Sequence, residues 1–189
     1  MVEIIVAVFV IALFSSIIIA NFPAMEKRFS LTRVAYNLAQ DLRTAEGMGL
    51  SGTEIENSLG GKIKAKGYGV YIDLTYGDHK KYKMYADVDG DEKYSLPSDV
   101  YCQDMTGLQT DCIIKEVDIN QDEPHASIKE IKNTNSQWAC VNFSPPSPKV
   151  NIANISVGQT GIEIVLSLDD DEAATRSVLA NTGGLIEIK

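Results

Sequence analysis

The sequence predicts an α+β protein in which a long N-terminal α-helix, apolar in its first half and amphipathic in its second, packs on a β-rich antiparallel C-terminal head. Three observations lead there. Residues 4–22 (IIVAVFVIALFSSIIIANF) carry no charge, residues 31–45 repeat apolar side chains at helical spacing, and beyond Gly52 that period gives way to short β-branched or alternating segments between Gly, Asp, Asn and Pro. A chain of 189 residues can bury one core of ordinary size. It divides into a helical part, residues 1–50, and a head, residues 51–189.

The first element follows from solvation. An uncharged run of this length spans a bilayer as a helix, and a helix apolar on every side has no face to turn to water, so it lies in lipid or among other helices. A secretory signal would open on basic residues and close on a small-residue cleavage site, whereas this run stands behind Glu3. An acid in such a segment is costly unless something positive meets it, which makes Glu3 a candidate functional residue. Lys27 and Arg28 follow the run and no Lys or Arg precedes it, so a literal positive-inside count places the rest of the chain in the cytoplasm.

Pro23 removes one helical hydrogen bond and crowds the preceding turn, and so predicts a bend rather than an end. After it, Leu31, Val34, Ala35, Leu38, Leu42 and Ala45 share one face, with Arg33, Asn37, Gln40, Asp41, Arg43 and Glu46 on the other. Gly47, Gly49 and Gly52 supply the stop. The expectation is one bent helix from about Val2 to Leu50, on the order of 70 Å at about 1.5 Å per residue.

In the head, residues 67–75, 80–87, 113–120, 126–132, 139–144, 149–152, 162–168, 175–181 and 185–189 read as strands. Residues 76–78 (Tyr-Gly-Asp) and 181–184 (Asn-Thr-Gly-Gly) have turn chemistry, because Gly and Asn tolerate positive φ. The proline-rich residues 144–148 read as an extended surface crossing. Gly60-Gly61-Lys62 continues with Ile63 and lacks the upstream glycine of a phosphate-binding loop, so it reads as a flexible connection.

The chemistry is mostly exclusion. A net charge of −9 disfavours a nucleic-acid partner, whose affinity rests on Lys and Arg neutralising phosphates. Three cysteines without a CxxC pair exclude zinc ribbons and thioredoxin-type motifs. His79 and His125 lie far apart and read as solvated loop residues, and no two carboxylates are tied to a cleft, so neither a catalytic residue nor a required cofactor is expected. The strongest local signal is Asp87-Val88-Asp89-Gly90-Asp91-Glu92, whose alternating acids resemble the first half of a calcium loop and make Asp87, Asp89 and Asp91 candidate calcium ligands. An EF-type loop wants Gly at its sixth place and Glu at its twelfth, where Glu92 and Ser98 stand. Asp99 could close a site of another kind; the competing reading is a solvated acidic turn with Gly90 at positive φ.

The layout as a whole resembles a type IV pilin-like protein. Met1-Val2-Glu3-Ile4-Ile5-Val6-Ala7 resembles the segment after a prepilin cleavage site, where an aromatic, a small polar residue and an apolar pair precede a Glu. Residues 38–46 (LAQDLRTAE), followed by residues 67–71 (GYGVY), are similar to the H-type minor pseudopilin branch. The likeness covers the helix closely and the head loosely. It implies a filament subunit whose partners are identical or homologous pilin subunits, the inner membrane before assembly, a prepilin peptidase and an assembly platform. It also implies a basic leader ending in Gly ahead of the segment, with Met1 an interior position; the leader's Lys and Arg would hold the cytoplasmic side and put the head outside. Glu3 then corresponds to the acid that meets a neighbouring subunit's N-terminal amine, and Pro23 to the proline where the helix loosens. An extracytoplasmic head would let Cys102 and Cys112 close a short loop as a disulfide, leaving Cys140 over; the residues alone leave the other pairings, or three buried thiols, open. Calcium sites occur in pseudopilin heads of another type. The rival reading is a single-span, membrane-anchored extracytoplasmic binding module, which needs neither processing nor an early Glu.

Overall fold

The computed structural model of the chain describes residues 2–75, 77, 79–95, 100–105, 111–145 and 149–189; for residues 20, 21, 23 and 24 only the backbone is described. The turn expected at 76–78, most of the proline-rich crossing, and Ser98 and Asp99 therefore lie outside the described residues, wholly or in part.

Apolar residues without a polar face, followed by apolar residues on one face, give one helix with two environments. Helix α1, Val2–Ser51, runs through Pro23 without interruption. Its first part is exposed along its length, whereas Leu31, Val34, Ala35, Leu38, Ala39, Leu42 and Ala45 are buried. These are the residues of the expected face, joined by Ala39.

The head is built on two antiparallel sheets. After a short hairpin of β1 (Glu54–Glu56) and β2 (Lys62–Lys64) come β3 (Gly67–Asp73), β4 (Lys81–Asp87), β5 (Cys112–Asp118), the one-turn helix α2 (Ile119–Asp122) and β6 (Ala126–Lys132). The chain ends with β7 (Trp138–Ser144), β8 (Lys149–Ala153), β9 (Gly161–Leu168), β10 (Thr175–Asn181) and β11 (Ile186–Ile188). Five strands pair in the order β5-β4-β3-β7-β8 and four in the order β11-β10-β9-β6, every neighbour antiparallel. The fold is thus α+β, and each segment read as a strand from its alternation is one. The β1–β2 hairpin is the addition: its strands are too short to show a period. The expected flexible connection there is its turn, with Gly60 at φ +76° and Asn57 Oδ1 accepting the N–H groups of Leu59 at 3.1 Å and Gly61 at 2.6 Å.

One core joins both sheets to the helix. Tyr68, Val70 and Ile72 of β3, Phe143 of β7, Ile162, Ile164 and Leu166 of β9 and Val178 of β10 all share a continuous apolar cluster with Leu38 and Leu42. Alternate residues of the five-stranded sheet point away from α1, where Tyr71, Tyr85, Tyr94, Ile113 and Cys140 form a second, smaller cluster. The Tyr94 ring lies 4.9 Å from that of Tyr71 and 5.2 Å from that of Tyr85, so residues after β4 fold back over this face. Burial on both sides explains why β3 reads as a nearly continuous apolar run. Cys102 and Cys112 are bonded to each other, and Cys140 is free and buried.

Polar contacts fix the helix on the head. Asp41, buried on α1, accepts the Tyr82 hydroxyl at 2.8 Å and the Lys115 ammonium at 3.1 Å from both carboxylate oxygens. Arg33 pairs with Glu123, Lys27 with Asp170, and Arg43 donates to the Ile186 carbonyl at 3.2 Å. His79 is half-buried rather than solvated: its Nδ1 lies 3.0 Å from the Ile128 carbonyl, and its own carbonyl accepts the Ile128 N–H at 2.7 Å, tying the β3–β4 connection to β6. His125 is exposed.

Two predictions follow from this packing. Because burial begins at Ser30 and Leu31, removal of residues 1–25 is expected to leave a soluble, monomeric β-rich fragment that melts cooperatively; aggregation with molten spectroscopic behaviour would refute it. Two helix glycines should respond to alanine with opposite sign. At Gly47 a Cβ meets nothing within 4 Å, so Gly47→Ala is expected to stabilise by about 0.5–1 kcal/mol; at Gly49 it would stand 2.5 Å from the Phe143 carbonyl oxygen, so Gly49→Ala is expected to cost about 1–3 kcal/mol. Thermal melts of the two variants check the pair.

Candidate assembly helix and acidic turn

Two features of the molecule are candidates for a functional role. The first is the exposed half of α1. Among the described residues, Val2–Ile19 is the stretch long and apolar enough to cross a membrane, and none of it is buried. Membrane anchors and signal sequences both have this character. Glu3 sits in the first turn of this helix and is exposed, where its carboxylate complements the positive end of the helix dipole. Pro23 lies within the same helix, past the apolar stretch. The side chains of Val2–Ile19 are exposed, and what they offer is a uniform apolar surface that lipid or other helices can cover.

The second feature is the turn after β4. Asp87 closes the strand, fully buried, and its carboxylate folds the turn around itself: Oδ1 accepts the Gly90 N–H at 2.5 Å, and Oδ2 accepts the Glu92 N–H at 3.0 Å and the Asn142 amide at 3.2 Å. Gly90 supplies φ +84°, and Glu92 itself adopts φ +63°. Asp89 Oδ1 accepts the Asp91 N–H at 3.0 Å, and Asp91 Oδ1 accepts the Lys93 N–H at 2.9 Å, so each exposed acid braces the backbone two residues on.

The structure draws Asp87 and Asp89 together with Asp111, not with Asp91. One carboxylate oxygen from each of the three lies within 4.8 Å of the others. Asp111 reaches the turn because it precedes Cys112, which pairs with Ala86 across β4 and β5. It is fully buried, and accepts the Val88 N–H at 3.1 Å and the Ser95 N–H at 2.7 Å. Three such oxygens could hold a hard divalent cation such as calcium, which takes carboxylate and carbonyl oxygens. Sequence spacing could not include Asp111, which is brought in by strand pairing from the far side of the disulfide loop; no local signal marks it.

Burial dominates the electrostatics here. Desolvation pushes the Asp111 carboxyl up to about 6, against the backbone N–H groups of Ser95 and Val88 that favour its charge, with Asp87 and Asp89 adding repulsion. Burial likewise raises Asp87 above the usual carboxylate range, partly offset by the Gly90 and Glu92 N–H groups. On the face next to this turn, burial pushes the Cys140 thiol up to about 12, which leaves it protonated and a poor nucleophile. Its Sγ stands 2.7 Å from the Tyr85 hydroxyl.

Comparison of the chain with protein-family models, curated proteins and solved structures returned no match.

The raised Asp111 carboxyl makes a pH prediction. The folded state holds this proton more tightly than the unfolded chain, so between about pH 4 and the folded value of about 6 the folded state binds the extra proton, and its advantage is lost as pH rises through that window. In a chelating buffer the melting temperature of the wild-type chain is expected to fall relative to that of Asp111→Asn as pH goes from 4 to 7. Parallel profiles for the two proteins would show that Asp111 titrates normally.

Proposed function

We propose that the chain is a structural subunit, a pilin or pseudopilin, of a type IV pilus-like or type II secretion-like filament that assembles through its apolar N-terminal helix. The observation that carries this reading is the two-environment helix: α1 is exposed and apolar over Val2–Ile19 and becomes the spine of the head from Leu31 onward. A surface of that kind is solvated by lipid before assembly and by neighbouring helices afterwards, so transfer needs little new burial. A helix that served only as an anchor would have no need to continue unbroken into the core.

On this reading the chain starts in the cytoplasmic membrane with its head outside the cytoplasm and ends in a cell-surface or periplasmic filament. Identical or homologous pilin subunits are its partners, and a prepilin peptidase and assembly platform act on it. The Cys102–Cys112 disulfide supports an extracytoplasmic head, since such bonds persist in oxidising compartments. The role is structural, with no turnover and no obligatory cofactor; calcium at Asp87, Asp89 and Asp111 would be an accessory of the head.

Glu3 provides the test. Once helices bundle, an acid buried among apolar neighbours without a positive partner costs about 3–5 kcal/mol, so on this reading another subunit supplies the partner of Glu3. Glu3→Val is expected to yield a folded, membrane-resident protein that enters filaments poorly, and Glu3→Asp to retain part of the assembly, both scored by filament yield against membrane-bound chain. Wild-type assembly by Glu3→Val would refute the role given to Glu3. A wild-type chain that stays as single molecules in the membrane would instead favour an anchored binding module.

A further inference from the structure

The head carries one surface that departs from the charge pattern of the chain. Charged residues make up 23% of the sequence, yet residues 133–162 hold a single one, Lys149, and residues 181–186 hold none. Folding joins the outer parts of these segments. The Asn135 N–H donates to the Asn154 carbonyl at 3.0 Å, the Ser156 N–H to the Asn133 carbonyl at 2.8 Å and the Thr182 N–H to the Thr160 carbonyl at 2.8 Å, so the β6–β7, β8–β9 and β10–β11 connections form one uncharged patch. It stands at the end of the four-stranded sheet where Gly161 pairs with Asn181. The opposite end, where Ser167 pairs with Thr175, leads into the turn whose Asp170 meets Lys27 of α1. The patch therefore lies on the side of the head remote from the apolar segment, where a membrane that holds Val2–Ile19 does not cover it.

We infer that this patch binds an uncharged carbohydrate. Its exposed side chains are mostly amides and hydroxyls, among them Asn135, Ser136, Gln137, Gln159 and Thr160, and Trp138 stands half-buried at its border with its carbonyl held by the Asn154 amide at 2.7 Å. The side chains of Gln137, Ser156 and Gln159 make no hydrogen bond among the described residues. An amide or a hydroxyl both donates and accepts, which matches sugar hydroxyls that do the same. The Trp138 indole adds a flat apolar surface of the kind that receives the C–H face of a sugar ring. Other partners fit less well. Sulfates, phosphates and carboxylates find no cation here to neutralise them, and the core of a protein interface is apolar, whereas Val157 and Leu185 are the exposed aliphatic side chains of the patch. Because backbone hydrogen bonds already tie the three connections together, a ligand need not order them on binding. The inference goes beyond the filament reading and does not depend on it, since the head presents this end in a filament and in a single anchored chain alike.

The full-length chain in phosphatidylcholine nanodiscs, applied to an immobilised panel of neutral hexose and N-acetylhexosamine oligosaccharides beside their sulfated and sialylated counterparts, tests this. Expected is retention by neutral members that survives a rise from about 0.1 M to about 1 M salt, because no ion pair takes part. Gln137→Ala plus Gln159→Ala is expected to weaken that retention by about tenfold or more while head melting stays unchanged. Trp138→Ala is expected to abolish it and Trp138→Tyr to restore part of it, which separates loss of the ring from loss of the fold. Retention by no neutral member, retention by the charged members alone, or neutral retention that all three variants leave intact overturns the inference. Absence of neutral retention together with self-association that Gln137→Ala plus Gln159→Ala abolishes would assign the patch to a second copy instead. Assembly through α1 is untouched by any of these results and stands or falls with the Glu3 variants.

Discussion

Everything in this molecule depends on one face of α1 being shared by two sheets. Neither sheet has a partner layer of its own: the inner residues of β3 and β7 and those of β9 and β10 converge on Leu38 and Leu42. A sheet with one apolar face must bury it against something, and here the single helix does so for both. The close approach at Gly49, where the backbone of β7 leaves no room for a Cβ, and the buried Asp41 held by Tyr82 and Lys115 fix the helix's position and rotation on the head. Removing the buried half of α1 would expose two sheet faces at once, which ties the folding of the head to residues adjoining the exposed apolar segment.

A second constraint governs the outer face of the five-stranded sheet. Tyr94, from the turn after β4, packs on that face, and side chains hold the described residues of this turn in place. Buried carboxylates do this work: Asp87 gathers the Gly90 and Glu92 N–H groups, and Asp111 gathers those of Val88 and Ser95. The disulfide next to Asp111 anchors the far end, and Tyr94 inserts between Tyr71 and Tyr85. Two buried acids so close together repel one another, and one answer to that repulsion is a proton, another a divalent cation. The same geometry that stabilises the turn therefore favours a proton on one of these acids as pH falls.

Most of the fold was legible because its elements are amphipathic. The helical period from Leu31 to Ala45 and the alternation in 162–168 and 175–181 report directly which side chains face the core, and the two sheets bear them out. The β1–β2 hairpin was not legible, because three-residue strands carry no period and depend on Asn57 bonding its own turn. His79 was read as solvated because sequence shows its turn and not the β6 strand that the turn meets. In the acidic turn, local spacing captured Asp87 and Asp89, whose positions the turn itself sets, while Asp111 belongs to the group only through the pairing of β4 with β5. Contacts set by topology between distant residues are what a local pattern omits.

The unbroken run of α1 from the apolar segment into the core has a mechanical consequence. A pull applied to the N-terminal half along the helix axis cannot peel the head away one contact at a time. It loads Leu31, Leu38, Leu42 and the Asp41 clasp in parallel, as shear across a broad interface. Detachment would require most of those contacts to yield together, so the junction of helix and head resists an axial pull better than any one of its contacts would alone.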